Sequence, residues 1–448
     1  MIRENAKTVI WISPATSGRQ LVRQSLPLPA GFLREGQSLL VSDGKNHVPA
    51  SVRVLTQHPR DGSVRRAMVT FVYTFESTEP VRFMLTPVAE KSTSRLSFPA
   101  TVRVSGEKVT IAYEGGARLT AHLLAPPRST SEPARVETVE ENAHFLWQRV
   151  ILPDPQWARI IEVRADVLGC VLVVAHLQRN LSGDGYAPPF GWEIRWGRAP
   201  TDVRLQQEAT VTPISTTLVV HSFRSGQGSV LFAGDYRLYH PAAPFKRRGQ
   251  AEAWRDSSGT LGYRYWRCTV DEKVPMQESA WRRAEFVVSP STLPALKPTL
   301  QYPQSLRVDP RLWRELYEIE PLPALPPELE KTVRYHHEAI LRSVATGDDW
   351  GNITGYSEDS PHGDVFGMNR LNHCPAIFEE AYRSGDPRLL ETALLWCQNF
   401  ADLSIWWGEK DRGGTRYPNI LLIEKTPHDD NRSFMWRSNS AVNFCTKG

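Results

Sequence analysis

The hydrophobic period of the sequence changes near residue 310, and this change limits the folds open to the chain. Before it, apolar residues come in short alternating or β-branched runs such as "KTVIWIS", "AMVTFVYTF" and "STTLVVHSF". Such runs, separated by Gly, Pro and Asp turns, are typical of strands. After it, "PPELEKTVRYHHEAILRSV" and "DPRLLETALLWCQNF" carry apolar residues at helical spacing. The sequence therefore predicts a β-rich part followed by a helical part.

The chain is long enough for several domains, because 448 residues exceed what one hydrophobic core usually serves. The spacing of strands and turns predicts a small β-barrel over 1–88 and a β-sandwich over 89–292. A Pro- and Ser-rich segment without a hydrophobic period, 293–310, is predicted as a linker. Helical hairpins are predicted over 311–448.

Two of the predicted helices are separated by a short connection with clear end signals. Gly385 is expected to end the first helix, Asp386 to cap the second, and Pro387 to occupy its first helical position. Short connections of this kind usually join antiparallel helices. The sequence stops after few such pairs, so we expect that the final domain is incomplete.

The composition is that of a globular protein, with 41% hydrophobic and 23% charged residues. The net charge of +4 is spread over interleaved acids and bases, which argues against nucleic acid as a partner. No apolar run has the length of a signal peptide or a membrane span, so we expect a cytoplasmic protein with no membrane partner. Five widely spaced cysteines without a CxxC pair predict reduced thiols.

The segments between the predicted helices carry the densest polar and aromatic clusters. The first, "TGDDWGNITGYSEDSPHGDVFGMNRLNH", is too long for a simple connector, and long loops often carry binding groups. The second is "GEKDRGGTRYPNILLIEKTPHDDNRSFMWRSNS". Trp rings can stack on sugar C–H faces while Arg, Asn and Asp groups hold hydroxyls and carboxylates, which predicts a saccharide site. The mild positive surplus of the chain favours an acidic saccharide there. The predicted substrate-binding residues are Trp350, Asn352, Tyr356, Asn369, Arg370, Asn372, Trp407, His428, Trp436 and Arg437.

Five sequence segments resemble those of the exo-rhamnogalacturonan lyase family, polysaccharide lyase family 26: "GDDWGN", "GMNRLNHCPAIFEEAYRSGD", "DLSIWWG", "GGTRYPNI" and "SFMWRSNSAVNFCTKG". The resemblance is strongest over 346–448. It implies an N-terminal β-barrel, a central β-sandwich and a C-terminal α/α toroid that carries the active site. Members of the family are much longer, so the resemblance also implies that only the first part of the toroid is present here.

The resemblance further implies β-elimination at galacturonate in the rhamnogalacturonan I backbone, from the chain end. This reaction needs a positive group for the C6 carboxylate, a base for the C5 proton and an acid for the C4 oxygen. The catalytic prediction comprises His362 and His373 as bases, Arg416 as the carboxylate partner and Tyr417 as the acid. The same region holds other residues of these types: Arg370 and Arg437 as carboxylate partners, His428 as a base, and Tyr356 as an acid.

Two alternatives to a lyase stay open at this stage. An α/α-toroid glycoside hydrolase acting on pectin fragments would use one or two carboxylates, such as Asp349 or Asp364. A carbohydrate-binding protein without turnover is the other. The sequence requires no cofactor and is compatible with a divalent cation such as calcium, although "DDWGN" lacks the alternating oxygen ligands of a calcium loop.

Overall fold

The chain is described by a computed structural model. The described residues are 8–89, 97–181, 186–197, 201–207, 210–214, 219–222, 229–240, 250–257, 259–268, 281–294, 304–308, 325–346 and 373–394. Within these ranges the chain forms 23 strands in three sheets, and helices occur only after residue 325. The prediction of a mostly β chain with a later helical part is therefore confirmed.

The first sheet has seven strands, all paired antiparallel. Apolar side chains from alternating strand positions, among them Ile12, Val22, Phe71 and Phe83, form its core. The strands are β1 Thr8–Pro14, β2 Gly18–Pro27, β3 Gln37–Ser42, β4 His47–Gln57, β5 Val64–Phe75, β6 Val81–Ala89 and β23 Gln304–Val308, in the spatial order β2-β5-β4-β3-β6-β1-β23.

The two edges of the first sheet, β2 and β23, are joined by glutamine side chains. Gln24 Nε2 donates to the Gln304 carbonyl at 2.8 Å, and Gln304 Nε2 donates to Gln20 Oε1 at 2.8 Å and to the Leu21 carbonyl at 3.2 Å. β2 and β23 stand at opposite ends of the strand order, and these side-chain hydrogen bonds link them where a backbone ladder would close the barrel. The sheet is therefore a nearly closed, barrel-like structure.

The strand β23 corrects the prediction of a linker without regular structure over 293–310. Its residues pair antiparallel with β1, with Ile10 opposite Val308 and Ile12 opposite Leu306. Leu306 and Val308 are buried in the barrel core. This five-residue strand has no clear sequence signal, because Pro and Ser surround it and its partner strand lies near the start of the chain.

The second and third sheets pack face to face as a β-sandwich. The second sheet has nine strands: β10 Arg135–Glu141, β11 Phe145–Leu152, β12 Trp157–Asp166, β13 Val171–Arg179, β15 Val203–Gln207, β16 Thr210–Pro213, β18 Ser229–Ala233, β19 Tyr236–His240 and β22 Trp281–Pro290, in the order β10-β11-β12-β13-β22-β19-β18-β15-β16. The third sheet has seven: β7 Ala100–Ser105, β8 Lys108–Tyr113, β9 Arg118–Leu124, β14 Phe190–Trp196, β17 Val219–Ser222, β20 Gln250–Arg255 and β21 Leu261–Cys268, in the order β17-β20-β21-β14-β9-β8-β7.

The sandwich core contains large aromatic rings, and those of Trp192 and Tyr265 have polar atoms that are paired across the two sheets. Trp192 from the third sheet meets Phe286 from the second edge to face, with ring centroids 5.4 Å apart. Its Nε1 donates to the Ala284 carbonyl at 3.0 Å. The Tyr265 hydroxyl likewise donates to the Glu285 carbonyl at 2.6 Å. Satisfied polar atoms of this kind let the rings be buried without a desolvation penalty.

The helical part comprises α1 Pro327–Thr346, α2 His373–Ser384 and helical residues 387 to 394. Gly385 ends α2 with φ 75°, and the Asp386 carboxylate accepts the N–H of Arg388 at 2.9 Å. The predicted stop and cap are therefore confirmed. None of the described helices is long and apolar enough to cross a membrane. The predicted α/α toroid depends on residues outside the described ranges and stays a prediction.

The helices pack against the edge of the barrel where β1 and β23 pair. Ser305 Oγ donates to the Ala381 carbonyl of α2 at 3.2 Å. A Cβ added at Gly385 would lie 3.2 Å from Ser13 Oγ and 3.6 Å from Arg307 Cδ, so the helix end approaches the two strands closely. Barrel and helices thus form one packed surface.

Replacing Phe286 by Ala should lower the free energy of unfolding by about 3–5 kcal/mol, because it opens a cavity beside Trp192 in the sandwich core. Urea unfolding followed by tryptophan fluorescence measures this loss. Val136→Ala is the control: Val136 is 64% exposed, so its removal should change stability by less than about 0.5 kcal/mol. A loss below about 1 kcal/mol for Phe286→Ala would contradict the described core.

Candidate functional site

The face of the nine-stranded sheet that points away from the sandwich core carries a partly buried polar and aromatic cluster. Strand residues alternate between faces, and Val163, Val173 and Phe286 are among those that point into the core. Their neighbours along the strands point to the opposite side. We call this set the outer-face cluster: Trp147 and Arg149 of β11, Glu162 and Arg164 of β12, His176 and Gln178 of β13, and Trp281 and Arg283 of β22.

The outer face is covered, which is unusual for an antiparallel sheet of a sandwich. Every residue of β13 is buried, whereas a strand with one solvated face shows alternating burial. Leu172, Val174 and Val287 form a small apolar cluster of their own on this side. Glu162, His176 and Gln178 are therefore withdrawn from water, whereas the Arg149 and Arg164 side chains remain 33% and 30% exposed.

Glu162 is the acceptor at the centre of the outer-face cluster. Arg149 donates to its Oε1 from Nε at 3.2 Å and from Nη2 at 3.1 Å, and Arg164 Nη2 donates to Oε2 at 2.9 Å. Burial acts to raise the pKa of Glu162, but the surrounding positive groups, His176 when protonated, Arg164 and Arg149, outweigh it and hold the pKa below its ordinary value. Glu162 is therefore ionised at neutral pH.

His176 is a neutral imidazole beside this carboxylate. Its residue is 9% exposed, and burial, with the Arg283 charge next in importance, lowers the pKa of His176 to about 3. The Nε2 atom lies 3.9 Å from Glu162 Oε1, beyond hydrogen-bond distance, and has no hydrogen-bond partner in the part of the chain that the structure describes. A neutral ring with one nitrogen open can accept or donate a proton.

The outer-face cluster has more hydrogen-bond donors than acceptors. Within the described ranges, Trp147 Nε1, Arg164 Nε and Gln178 Nε2 are buried without a hydrogen-bond partner. Each unpaired donor costs about 1–3 kcal/mol when it is buried. The Arg164 and Arg149 guanidinium groups also lie against the Trp147 ring, with Cζ 4.4 Å and 5.7 Å from its centroid. This arrangement suits a ligand rich in acceptors, such as a carboxylate or a hydroxylated sugar.

The barrel covers one side of the outer face. Arg23 and Arg53 both pair with Glu140 of β10, the latter at 3.0 Å, and the Arg23 guanidinium lies over the Phe145 ring at 4.4 Å. His144 Nδ1 is hydrogen-bonded to Ser51 of the barrel at 2.8 Å, and burial lowers the pKa of His144. These contacts fix the barrel beside β10 and β11.

The helical part lies near the other side of the same face. Burial raises the pKa of Tyr239 in β19 to about 12, and the charges of Glu391 and Glu285 act in the same direction. Glu391 belongs to helical residues 387 to 394, so this helix is close to Tyr239. The outer-face cluster therefore lies between the barrel and the helices.

One of the sequence-predicted site residues, His373, falls within the described residues, where it is the first residue of α2. Its side chain lies outside the described part of the structure. The remaining predicted residues, for which convergence on one surface stays a prediction, lie outside the described residues: Trp350, Asn352, Tyr356, His362, Asn369, Arg370, Asn372, Trp407, Arg416, Tyr417, His428, Trp436 and Arg437.

The outer-face cluster is not among the sites predicted from the sequence. Glu162 and His176 stand in "ARIIEVRADVLGCVLVVAHLQ", which predicts strands well but not which face another domain covers. The available signal was charged and imidazole side chains inside unusually apolar strands. Among the described residues, no group of three or more His, Cys, Asp or Glu side chains is arranged to hold a metal ion.

Comparison with known proteins gives only distant likenesses. No family model matches the chain, and no curated protein matches it. A GH36 alpha-galactosidase from Geobacillus stearothermophilus has a TM-score of 0.27 and 12% identity, with 63% of this chain and 43% of that chain covered. The galactosidase domain of an alpha-galactosidase-sucrose kinase has a TM-score of 0.29 and 12% identity, covering 97% and 69%. A TPR-domain containing protein from Parabacteroides distasonis has 0.29 and 9%, covering 95% and 80%.

The match spans less than half the length of the first of these proteins. TM-scores this low establish neither a family nor a function. None of the three is described as a rhamnogalacturonan lyase.

The pH dependence of stability should reveal the buried neutral state of His176. The ring has a pKa near 6.5 in the unfolded chain and about 3 in the folded one, so below pH 6.5 the unfolded chain binds one more proton. The free energy of unfolding therefore falls as the pH drops below 6.5, and no stability is lost through His176 above that pH. Between pH 7 and pH 5 the loss from this residue is about 2 kcal/mol.

Urea unfolding at pH 7 and pH 5 measures this loss as a difference between wild type and His176→Gln. The variant should lose about 2 kcal/mol less than wild type over this interval. His122→Gln, which removes an exposed histidine of β9, is the matched control and should keep the wild-type dependence. An unchanged pH dependence in His176→Gln would mean that this ring is protonated in the folded state.

Proposed function

We propose that the chain is part of a polysaccharide lyase that cleaves the rhamnogalacturonan I backbone by β-elimination at galacturonate, acting from the chain end. The main support for this proposal is the set of C-terminal sequence segments that resemble those of the exo-rhamnogalacturonan lyase family. The order of a barrel-like sheet, a β-sandwich and a helical part agrees with the layout which that resemblance implies. The proposed α/α toroid would build on α1, α2 and the helix that follows.

The reaction assigns a separate task to each predicted catalytic residue. Arg416 neutralises the C6 carboxylate of galacturonate and so stabilises the enolate that forms when the C5 proton leaves. His373 or His362 accepts that proton, and Tyr417 protonates the C4 oxygen as the glycosidic bond breaks. α2 begins at His373, so the free N–H groups and positive dipole end of this helix lie beside the proposed base.

The outer-face cluster supports an acidic saccharide as substrate. It lies next to the helical part, and it combines three guanidinium groups, from Arg149, Arg164 and Arg283, with two indole rings. Its unpaired donors suit carboxylate and hydroxyl oxygens. We propose that the cluster forms the sandwich side of the substrate cleft, where it attracts the uronate chain.

The product of the reaction distinguishes a lyase from the alternatives. The purified protein, incubated with rhamnogalacturonan I in water enriched in heavy oxygen, should release products with an unsaturated galacturonosyl end and rising ultraviolet absorbance. Mass spectrometry should find no heavy oxygen at the new ends. Heavy oxygen in the products would identify a glycoside hydrolase instead, and binding without any product would identify a carbohydrate-binding protein.

Replacing Arg416 by Ala should lower kcat about 100-fold or more, because loss of a preorganised partner of the enolate costs on the order of 3 kcal/mol in the barrier. The melting temperature should stay close to that of wild type. Arg416→Lys is the matched control: it keeps the positive charge and should recover part of the rate. Wild-type turnover in Arg416→Ala would remove this residue from the mechanism.

A further inference from the structure

Trp254 lies flat on the outward face of the seven-stranded sheet. Trp254 in β20 is directly opposite Gly262 in β21. A Cβ added at Gly262 would overlap Cε2, Cζ2 and Nε1 of the indole ring, so the ring occupies the space above the glycine backbone. One face of the ring is therefore against the sheet, and the other face points outward from it.

Two carboxylates are fixed beside this ring. Arg264 Nε donates to Glu193 Oε2 at 2.9 Å, and Arg264 Nη1 lies 3.4 Å from Glu252 Oε2. Arg195 Nε donates to the other oxygen of Glu193 at 2.8 Å. The Arg264 Cζ atom is 5.3 Å from the Trp254 ring centroid. These pairs hold both carboxylates in place. Each oxygen of Glu193 faces two N–H groups of one arginine, so its roughly four acceptor sites are occupied, whereas Glu252 keeps acceptor capacity.

The remainder of the outward face is basic. Alternation along the strands places five cations and only two carboxylates on this side, counted over the described residues of β7, β8, β9, β14, β20 and β21. The carboxylates are Glu193 and Glu252, and the cations are Arg103, Lys108, Arg118, Arg195 and Arg264. From β20 to β8 the sheet spans four strand spacings, about 19 Å.

We propose that this face is a second saccharide-binding surface, separate from the predicted catalytic residues, and that its ligand is an acidic polysaccharide. A pyranose ring stacks on the outward face of Trp254, and one of its hydroxyls donates to Glu252. The uronate groups of the continuing chain meet Arg103, Lys108 and Arg118. We call this set of residues the Trp254 surface.

The choice of ligand follows from the signs of the charges. The Glu252 carboxylate beside the ring can accept a hydrogen bond from a sugar hydroxyl but repels a phosphate, which disfavours a nucleic acid at this point. The surplus of cations along the sheet favours a uronate chain over a neutral one. The Trp254 surface and the outer-face cluster lie on opposite sides of the sandwich, so the proposal stands for a lyase, a hydrolase or a binding protein.

The test measures affinity for polygalacturonate by electrophoresis of the folded protein through gels that contain the polysaccharide. Trp254→Leu keeps an apolar cover over Gly262 but removes the flat ring, and it should weaken binding at least tenfold. Trp11→Leu, at an outward position of β1 in the barrel, is the matched control and should bind as wild type does.

A second variant avoids any effect on folding. Arg103 and Lys108 are exposed, so changing both to Gln should leave the melting temperature unchanged. It should weaken polygalacturonate binding several-fold and reduce its dependence on salt, while a neutral galactan should bind as weakly as it does to wild type. Wild-type affinity in both Trp254→Leu and the double variant would overturn the proposal, as would tighter binding of single-stranded DNA than of polygalacturonate.

Discussion

Burial of the nine-stranded sheet on both faces is the constraint on which the arrangement of the other parts depends. Its inner face packs Phe286 against Trp192 of the partner sheet. Its outer face carries Leu172 and Val174, which would meet water if nothing covered them. Each square ångström of apolar surface covered contributes about 25 cal/mol. This gain explains why the barrel and the helices pack beside this face, and the contact between Ser305 and α2 joins those two covers to each other.

The same burial makes the polar groups of the outer face unfavourable in free energy unless they are paired. A buried charge must be paired, and Glu162 is paired with two arginines, whereas His176 avoids the cost by staying neutral. The N–H groups of Trp147 and Gln178 have neither solution: within the described residues they are buried and have no hydrogen-bond partner. A purely structural interface would gain stability by replacing them with apolar groups. Their presence is the physical reason to connect this face with an acceptor-rich ligand.

Local signals in the sequence predict the fold well, and non-local contacts limit that prediction. The end of α2 follows from Gly385 and Asp386 alone, because stop and cap signals act within a few residues. Closure of the barrel depends on Gln304, which is 280 residues from Gln24, and no hydrophobic period reveals such a pair. For the same reason alternation assigns Glu162 and His176 to one face of a sheet but cannot say that a barrel and helices cover that face. The predicted roles of site residues such as Arg416 rest on the resemblance of sequence segments to a known family and not on hydrophobic periodicity.

Gly262 shows how a cost in local stability can mark a functional surface. A glycine inside a strand is less stable than alanine by about 0.5–1 kcal/mol, and it offers no side chain for packing. Covering it with an aromatic ring recovers part of this cost, as is known for glycines in sheets. A β-branched residue at the same position would stabilise the sheet more simply, but it would lift the Trp254 ring off the backbone. The sequence thus departs from strand propensity at the position where a flat, outward ring is produced between Glu252 and Arg264, and such departures are expected at sites of function.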